Sequence, residues 1–143
     1  MIESFNGPFA NFSNFAPVVV ELWERKYPSV EHAYQSAKNE GEEWKKYCQS
    51  DVPAGRLKQA SRHVKLIANW DTLKVEVMRW LVWCKFQQEP FRTLLLSTGD
   101  QHIQEGNWWN DTFWGVNLKT GQGQNVLGQM IMETRKLLRG GVK

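Results

Sequence analysis

The segment Tyr27-Pro28-Ser29-Val30-Glu31-His32-Ala33-Tyr34-Gln35-Ser36-Ala37-Lys38 leaves little choice of local structure. Pro28 biases Tyr27 toward an extended backbone, and Ser29 is placed to accept a hydrogen bond from the free N–H groups of a first helical turn. Val30, Ala33, Tyr34 and Ala37 recur at i, i+3, i+4 and i+7, which predicts one apolar stripe facing a core. At ~100° per residue, Glu31, Gln35 and Lys38 share a second stripe beside the first. His32, Ser36 and Asn39 point the other way, toward water. A carboxylate, an amide and an ammonium thus line the edge of a buried face. Two readings are open: a solvated flank, or the wall of a cleft holding an acid/base. Glu31 sits in the first turn, where the helix dipole favours its ionised form.

A chain of 143 residues without a Pro/Gly/Ser-rich linker or internal repeat suits a single domain over residues 1–143. Its net charge of +3 is too small to announce nucleic-acid binding, but it is compatible with an anionic, phosphate-bearing ligand. Eight tryptophans are more than a core of this size needs, and a cluster of them near polar groups would make a stacking surface. Cys48 and Cys84 stand apart, as in a reduced, cytoplasmic protein. His32, His63 and His102 form no metal-ligand spacing, so neither a metal nor another cofactor is expected. No stretch is apolar enough to span a bilayer, and no leader-like segment is seen.

Along the chain, Asn6-Gly7-Pro8 is turn chemistry, and Phe9 to Phe15 interleaves rings with Asn11, Ser13 and Asn14. Pro17 to Trp23 reads as a strand, Glu24-Arg25-Lys26 as a charged turn, and the residues around Tyr27 as the returning strand of a hairpin. After the Ser29 helix, Glu42 to Gln49 predicts a second helix, and Asp51 with Pro53 another start. Arg56, Lys58, Arg62, His63 and Lys65 then form a basic run: a solvated face or, beside a cleft, a source of phosphate contacts. Asp71 is read as capping a long helix whose buried side is Leu73, Val77, Trp80, Leu81 and Cys84, with Lys85 after it. Pro90 opens a shorter helix ended by Ser97-Thr98-Gly99-Asp100, where Thr98 and Asp100 serve the turn.

Glu105 to Gly115 holds three tryptophans, Phe113 and Asp111 in a segment too polar and Gly-punctuated for regular structure. It is either a loop plugging the core with its rings or one placing a carboxylate beside rings that sandwich a base. Thr120 to Gly128 leads into a last helix with Leu127, Met130, Ile131, Thr134 and Leu138 inward. Asn125 caps that helix, and its glycine-rich approach is a candidate anion site. Gly128 suggests a close backbone approach.

In this order the motifs resemble the NADAR family. They are Phe12-Ser13-Asn14-Phe15, Tyr27 to His32 with Gln35 and Lys38, Asn69-Trp70-Asp71, Lys85-Phe86-Gln87, Leu95 to Asp100, Asp111 to Gly115, and Gly123 to Gly128 ending at Met132 and Arg135. The resemblance covers nearly the whole chain. It implies a mainly α fold with a small antiparallel β element (α+β), and N-glycosidase chemistry on ribosyl-linked bases. Two substrate classes come with it: ribosylamino-pyrimidine phosphates of riboflavin synthesis, and ADP-ribose attached to guanine in DNA or RNA. Glu31, Trp70 and Asp111 are carried over as the functional core, with Lys38 and Lys85 beside them. Asn14, Phe15, Gln35, Trp114, Gly115 and Asn125, within the same motifs, are candidate substrate contacts. One departure stands before Trp70: Ala60-Ser61-Arg62 replaces a small residue followed by arginine.

Cleaving a C1′–N bond develops oxocarbenium character on the sugar and negative charge on the base, which two carboxyl groups can handle. The expectation is that Glu31 and Asp111 face one cleft, Glu31 as acid/base and Asp111 orienting ribose hydroxyls, or with those roles exchanged. Lys38 or Lys85 offers an alternative, attack on an opened sugar as a Schiff base. Trp70 and Trp114 are candidates to stack on the base, and Arg56, Arg62 and the Asn125 helix start to hold phosphate. A binding module for ADP-ribose without turnover, and a purely structural protein, remain the rival classes.

Overall fold

Pro17–Leu22 (β1) and Arg25–Ser29 (β2) pair antiparallel, and the side chains of β1 alternate out and in so that Val18, Val20 and Leu22 are buried. The turn between the strands is Trp23-Glu24, both at positive φ, as a tight hairpin with right-handed twist requires. The predicted turn therefore falls earlier than expected, and Arg25 and Lys26 belong to β2. The computed structural model describes residues 1–141 and divides into two compact units: Asn14–Lys85, which holds this hairpin, and residues 1–13 with the described residues from 86 on.

In the first unit, β2 runs directly into Val30–Ser36 (α1), whose seven residues are all buried. Glu42–Gln49 (α2), Ala54–Ala60 (α3) and a 3-10 turn at Ser61–His63 follow, then Trp70–Phe86 (α4). α1 contacts both strands, α2 and α3. A helix buried on every side needs its end groups satisfied from outside. At its start the Asn14 carbonyl accepts from the Glu31 N–H at 3.0 Å. At its end the Trp44 indole donates to the Gln35 carbonyl at 2.9 Å and Lys45 Nζ to the Ser36 carbonyl at 3.1 Å.

Three expectations are corrected here. His32 and Ser36 do not face water. The His32 ring bridges Ser29 Oγ and the Val52 carbonyl, each at 2.6 Å, and Ser36 Oγ donates to the Ala33 carbonyl. Since a carbonyl only accepts, Nε2 carries the proton toward Val52. On α4 the buried side is Val77, Met78, Leu81, Val82, Lys85 and Phe86. Trp80 is 51% exposed, its indole N–H donating to the Glu21 carbonyl, and Asp71 lies open, paired at 3.6 Å with Lys74 rather than capping.

The second unit holds Phe91–Ser97 (α5) and Val126–Gly141 (α6), with a small parallel pairing of Gly106–Asn107 (β3) and Val116–Asn117 (β4). Phe12 is fully buried among Phe5, Phe9 and Phe86. Thr98 and Asp100 do more than close a turn: Arg135 donates to Thr98 Oγ1 at 2.8 Å, and Arg139 pairs with Asp100 at 2.8 Å, which ties the end of α5 to α6. The architecture is mainly helical with a small antiparallel hairpin, as the sequence predicts.

Candidate functional site

Ser29 caps α1 as predicted, its Oγ accepting from the His32 N–H at 3.1 Å. That cap sets the helical register, and the register places Glu31 and Gln35 one turn apart. Gln35 Nε2 donates to Glu31 Oε2 at 2.5 Å. Glu31 is 6% exposed, and burial pushes its carboxyl above the ordinary range, opposed by the Gln35 hydrogen bond and by the charges of Lys58, Lys38 and His32. Gln35 is 2% exposed, and its other amide atom, Oε1, is buried with no hydrogen-bond partner among the described residues.

Lys38, half-buried just past α1, donates to Ser61 Oγ at 3.3 Å and lies over the Tyr34 ring, 5.6 Å from its centroid. Burial lowers its ammonium, Glu31 raises it, and Lys58, Lys74 and Arg62 lower it further. Lys58 and Lys38 thus act on the buried Glu31 carboxyl, while Lys74 and Arg62 act on Lys38. Tyr34 packs in turn on Trp70, with centroids 5.3 Å apart. At 7% exposure Trp70 is a core residue, and little of its ring is left for a base. Lys85 is wholly buried on α4, and desolvation holds its ammonium down to about 7.

Among the predicted site residues, this unit brings together Glu31, Gln35, Lys38, Trp70 and Arg62. Asn14 contributes its backbone to the start of α1, while its side chain reaches Met78 Sδ at 3.6 Å. Phe15 is 45% exposed and Arg56 is exposed on α3. Lys58 and Lys74 were absent from the predicted set. Lys58 belongs to the basic run from Arg56 to Lys65, whereas no pattern in the sequence singles out Lys74. Ser61, the residue of the departure before Trp70, is the one that holds Lys38.

Asp111, Trp114, Gly115 and Asn125 lie in the second unit. Asp111 Oδ1 accepts from the N–H groups of Phe113 at 3.2 Å and Trp114 at 3.0 Å, and Asn107 clasps the Asp111 backbone through both of its amide atoms. This is an Asx turn, built from the carboxylate itself. Gly115 is fixed by space: a Cβ there would lie 2.1 Å from the Glu105 carbonyl oxygen. The Asn125 side chain accepts from the Glu105 N–H and donates to the Ile103 carbonyl. At the start of α6 the Val126 and Leu127 N–H groups donate to the Phe113 and Trp114 carbonyls, so the expected anion site is filled by the chain's own loop at those two groups. Gly128 has the close approach foreseen for it, its Cβ position 2.4 Å from the Ile103 carbonyl oxygen.

Among the described residues no three His, Cys, Asp or Glu side chains are grouped to hold a metal ion. No helix among them is long and apolar enough to cross a membrane.

A buried acid with an amide partner and two lysines acting on it, on a short helix that follows a hairpin, defines the kind of site this chain carries. The model of the NADAR domain matches residues 3–139, and the protein belongs to that family. It is 32% identical over 139 residues to the N-glycosidase YbiA of Shigella boydii serotype 4 (strain Sb227), covering 94% of this chain and 85% of that protein. It is also 31% identical to the chloroplastic riboflavin biosynthesis protein PYRR of Zea mays, over 94% of this chain but 24% of that longer protein. The NMR structure of the E. coli protein YbiA superposes with a TM-score of 0.84 at 30% identity, covering 98% of this chain and 84% of the other.

Proposed function

We propose that the protein is an N-glycosidase that hydrolyses the bond between C1′ of a ribose and a base nitrogen, with Glu31 as its acid/base. The observation that carries this reading is the Glu31 carboxyl itself, buried, hydrogen-bonded to Gln35, raised above its ordinary range and acted on by Lys58 and Lys38, with Lys74 and Arg62 acting in turn on Lys38. A carboxyl kept protonated to higher pH can pass its proton to the departing nitrogen; as a carboxylate it can then take one from water adding at C1′. The products are the sugar hemiacetal and the base with its N–H restored. The surrounding cations suit an anionic substrate, since each ammonium near a phosphate is worth more where water is partly excluded. The names of the YbiA relatives support the bond class.

Within that class the substrate we propose is ADP-ribose attached to guanine in DNA or RNA, released with the base left intact. The cations that act on Lys38, which would favour an anionic group, and the mildly basic chain support it. A target base within nucleic acid must be unstacked to reach a buried acid. Asp111 is proposed to orient the ribose hydroxyls through Oδ2, which has no hydrogen-bond partner among the described residues, while Oδ1 holds the turn. A route through Lys38 has its own support, because burial lowers its ammonium and frees more of the amine for attack on an opened sugar.

The test is incubation with an ADP-ribosylated guanine oligonucleotide and, separately, with a ribosylamino-pyrimidine phosphate. Release of free ADP-ribose from the first is the expected result. Cleavage of the second alone would move the protein to the ribosylamino-pyrimidine substrate, consistent with the maize relative's name as a riboflavin biosynthesis protein. Tight ADP-ribose binding with no cleavage of either would make it a binding module. Borohydride trapping of a covalent adduct, lost in Lys38→Met, separates the Schiff-base route from direct hydrolysis.

A further inference from the structure

We infer that Gln35 is a positioning residue, whose side-chain amide holds the Glu31 carboxyl in one orientation for the reaction. The inference rests on the N-glycosidase reading of Glu31. Gln35 lies one turn beyond Glu31 on α1 and donates from Nε2 to Glu31 Oε2 at 2.5 Å. Its own backbone is pinned, because its carbonyl accepts the Trp44 indole N–H at 2.9 Å. The side chain is 2% exposed and so has no freedom to swing into water.

The unusual feature is the other half of the amide. Oε1 is buried with no hydrogen-bond partner among the described residues, a cost that native interiors rarely carry without a functional reason. A side chain kept only to fill space at this position would be apolar, as Val30, Ala33 and Ala37 are on the same helix. One kept only for a structural hydrogen bond would satisfy both of its polar atoms. What remains is the bond from Nε2 to the carboxyl proposed to do the chemistry. This role also differs from substrate contact, which the sequence suggested for Gln35.

The charged groups that act on Glu31 are Lys58 from α3, Lys38 just past α1, and His32 on α1. All three favour the carboxylate at a distance, and the Gln35 amide does so by direct contact. Losing the amide therefore raises the Glu31 pKa and frees the carboxyl to rotate.

The experiment compares wild type with Gln35→Met, close in volume and without polar atoms. Three readings are taken on each: the Glu31 carboxyl titration by 13C NMR, kcat and KM across pH on the oligonucleotide substrate, and the thermal midpoint. The expected result is an upward move of the Glu31 titration, a fall in kcat of about tenfold or more with KM within about twofold, and a midpoint equal to or above wild type. Unchanged titration and kcat with a lowered midpoint would overturn the inference and make Gln35 a structural residue. If Gln35→Met does not fold, Gln35→Asn, one methylene too short to reach Oε2, is read by the same criteria. Should wild type cleave neither substrate, the N-glycosidase reading fails by itself; the NMR titration then still decides whether Gln35 controls the carboxyl.

Discussion

The α1 helix and the Glu105–Gly115 loop look alike as sequence, each setting a carboxylate and amides among aromatic residues, but they spend their polar groups differently. In the loop, Asp111 Oδ1 takes two backbone N–H groups and Asn107 uses both amide atoms on the Asp111 backbone. Its hydrogen bonds build the turn. On α1, Glu31 is bonded to a neighbouring side chain rather than to the backbone, Gln35 keeps an unsatisfied oxygen, and both are buried. Two buried polar side chains that contribute so little to the backbone are poor structural elements and good chemical ones. Spacing and residue type do not separate these cases; the identity of each polar atom's partner does.

Substitutions sharpen the contrast, beginning with the largest effect. Glu31→Gln is expected to lower kcat by roughly 10²–10⁴-fold, the usual range for a general acid/base, in a steady-state assay on the ADP-ribosyl oligonucleotide. Its stability should move the other way. The folded carboxyl titrates above its unfolded value, so wild type loses stability as pH rises from about 4.5 through the folded pKa. The neutral variant escapes that loss, and thermal melts should show a gap that closes below about pH 4.5.

Gly115→Ala tests the loop as architecture. The added Cβ meets a backbone oxygen that cannot rotate away, and a loss of about 2–3 kcal/mol is expected by urea denaturation.

Lys85 belongs with α1 in kind, a buried group that resists its own charge. With its ammonium held to about 7, the unfolded chain binds the extra proton between there and 10.5, so stability should rise with pH across that window. Lys85→Met should remove on the order of 2 kcal/mol of that rise, read from melts at pH 7 and pH 10.

The smallest effect divides the two duties of Asp111. Asp111→Ala should cost about 1 kcal/mol through the turn. Asp111→Asn should keep the turn and lower kcat/KM by about tenfold, because Oδ2 becomes an amide. Full activity in the asparagine variant would leave Asp111 to the loop alone.

What the sequence revealed follows the range of each interaction. The Ser29 cap, the bounds of α2 and the β1–β2 hairpin depend on residues a few positions apart, and periodicity and turn chemistry found them. The burial of His32 depends on the Val52 carbonyl, and the exposure of Trp80 on the Glu21 carbonyl 59 positions away; no local pattern encodes either. The same holds at the site. Glu31, Gln35 and Lys38 were legible as one helix stripe, whereas Lys74 and Ser61 join them only through folding. Asn125 shows the opposite error: a cap-like residue ahead of a helix whose side chain is used on Ile103 and Glu105 instead.

The central claim is that one buried carboxyl breaks the glycosidic bond. The most direct measurement is the pH dependence of kcat/KM on the ADP-ribosyl oligonucleotide, for wild type and Glu31→Gln in parallel. The expected wild-type profile has a limb with its midpoint above 4.5, in the direction burial pushes Glu31, and the residual activity of the variant lacks that limb. The same limb persisting in Glu31→Gln, or a wild-type midpoint at the ordinary glutamate value, would contradict the account.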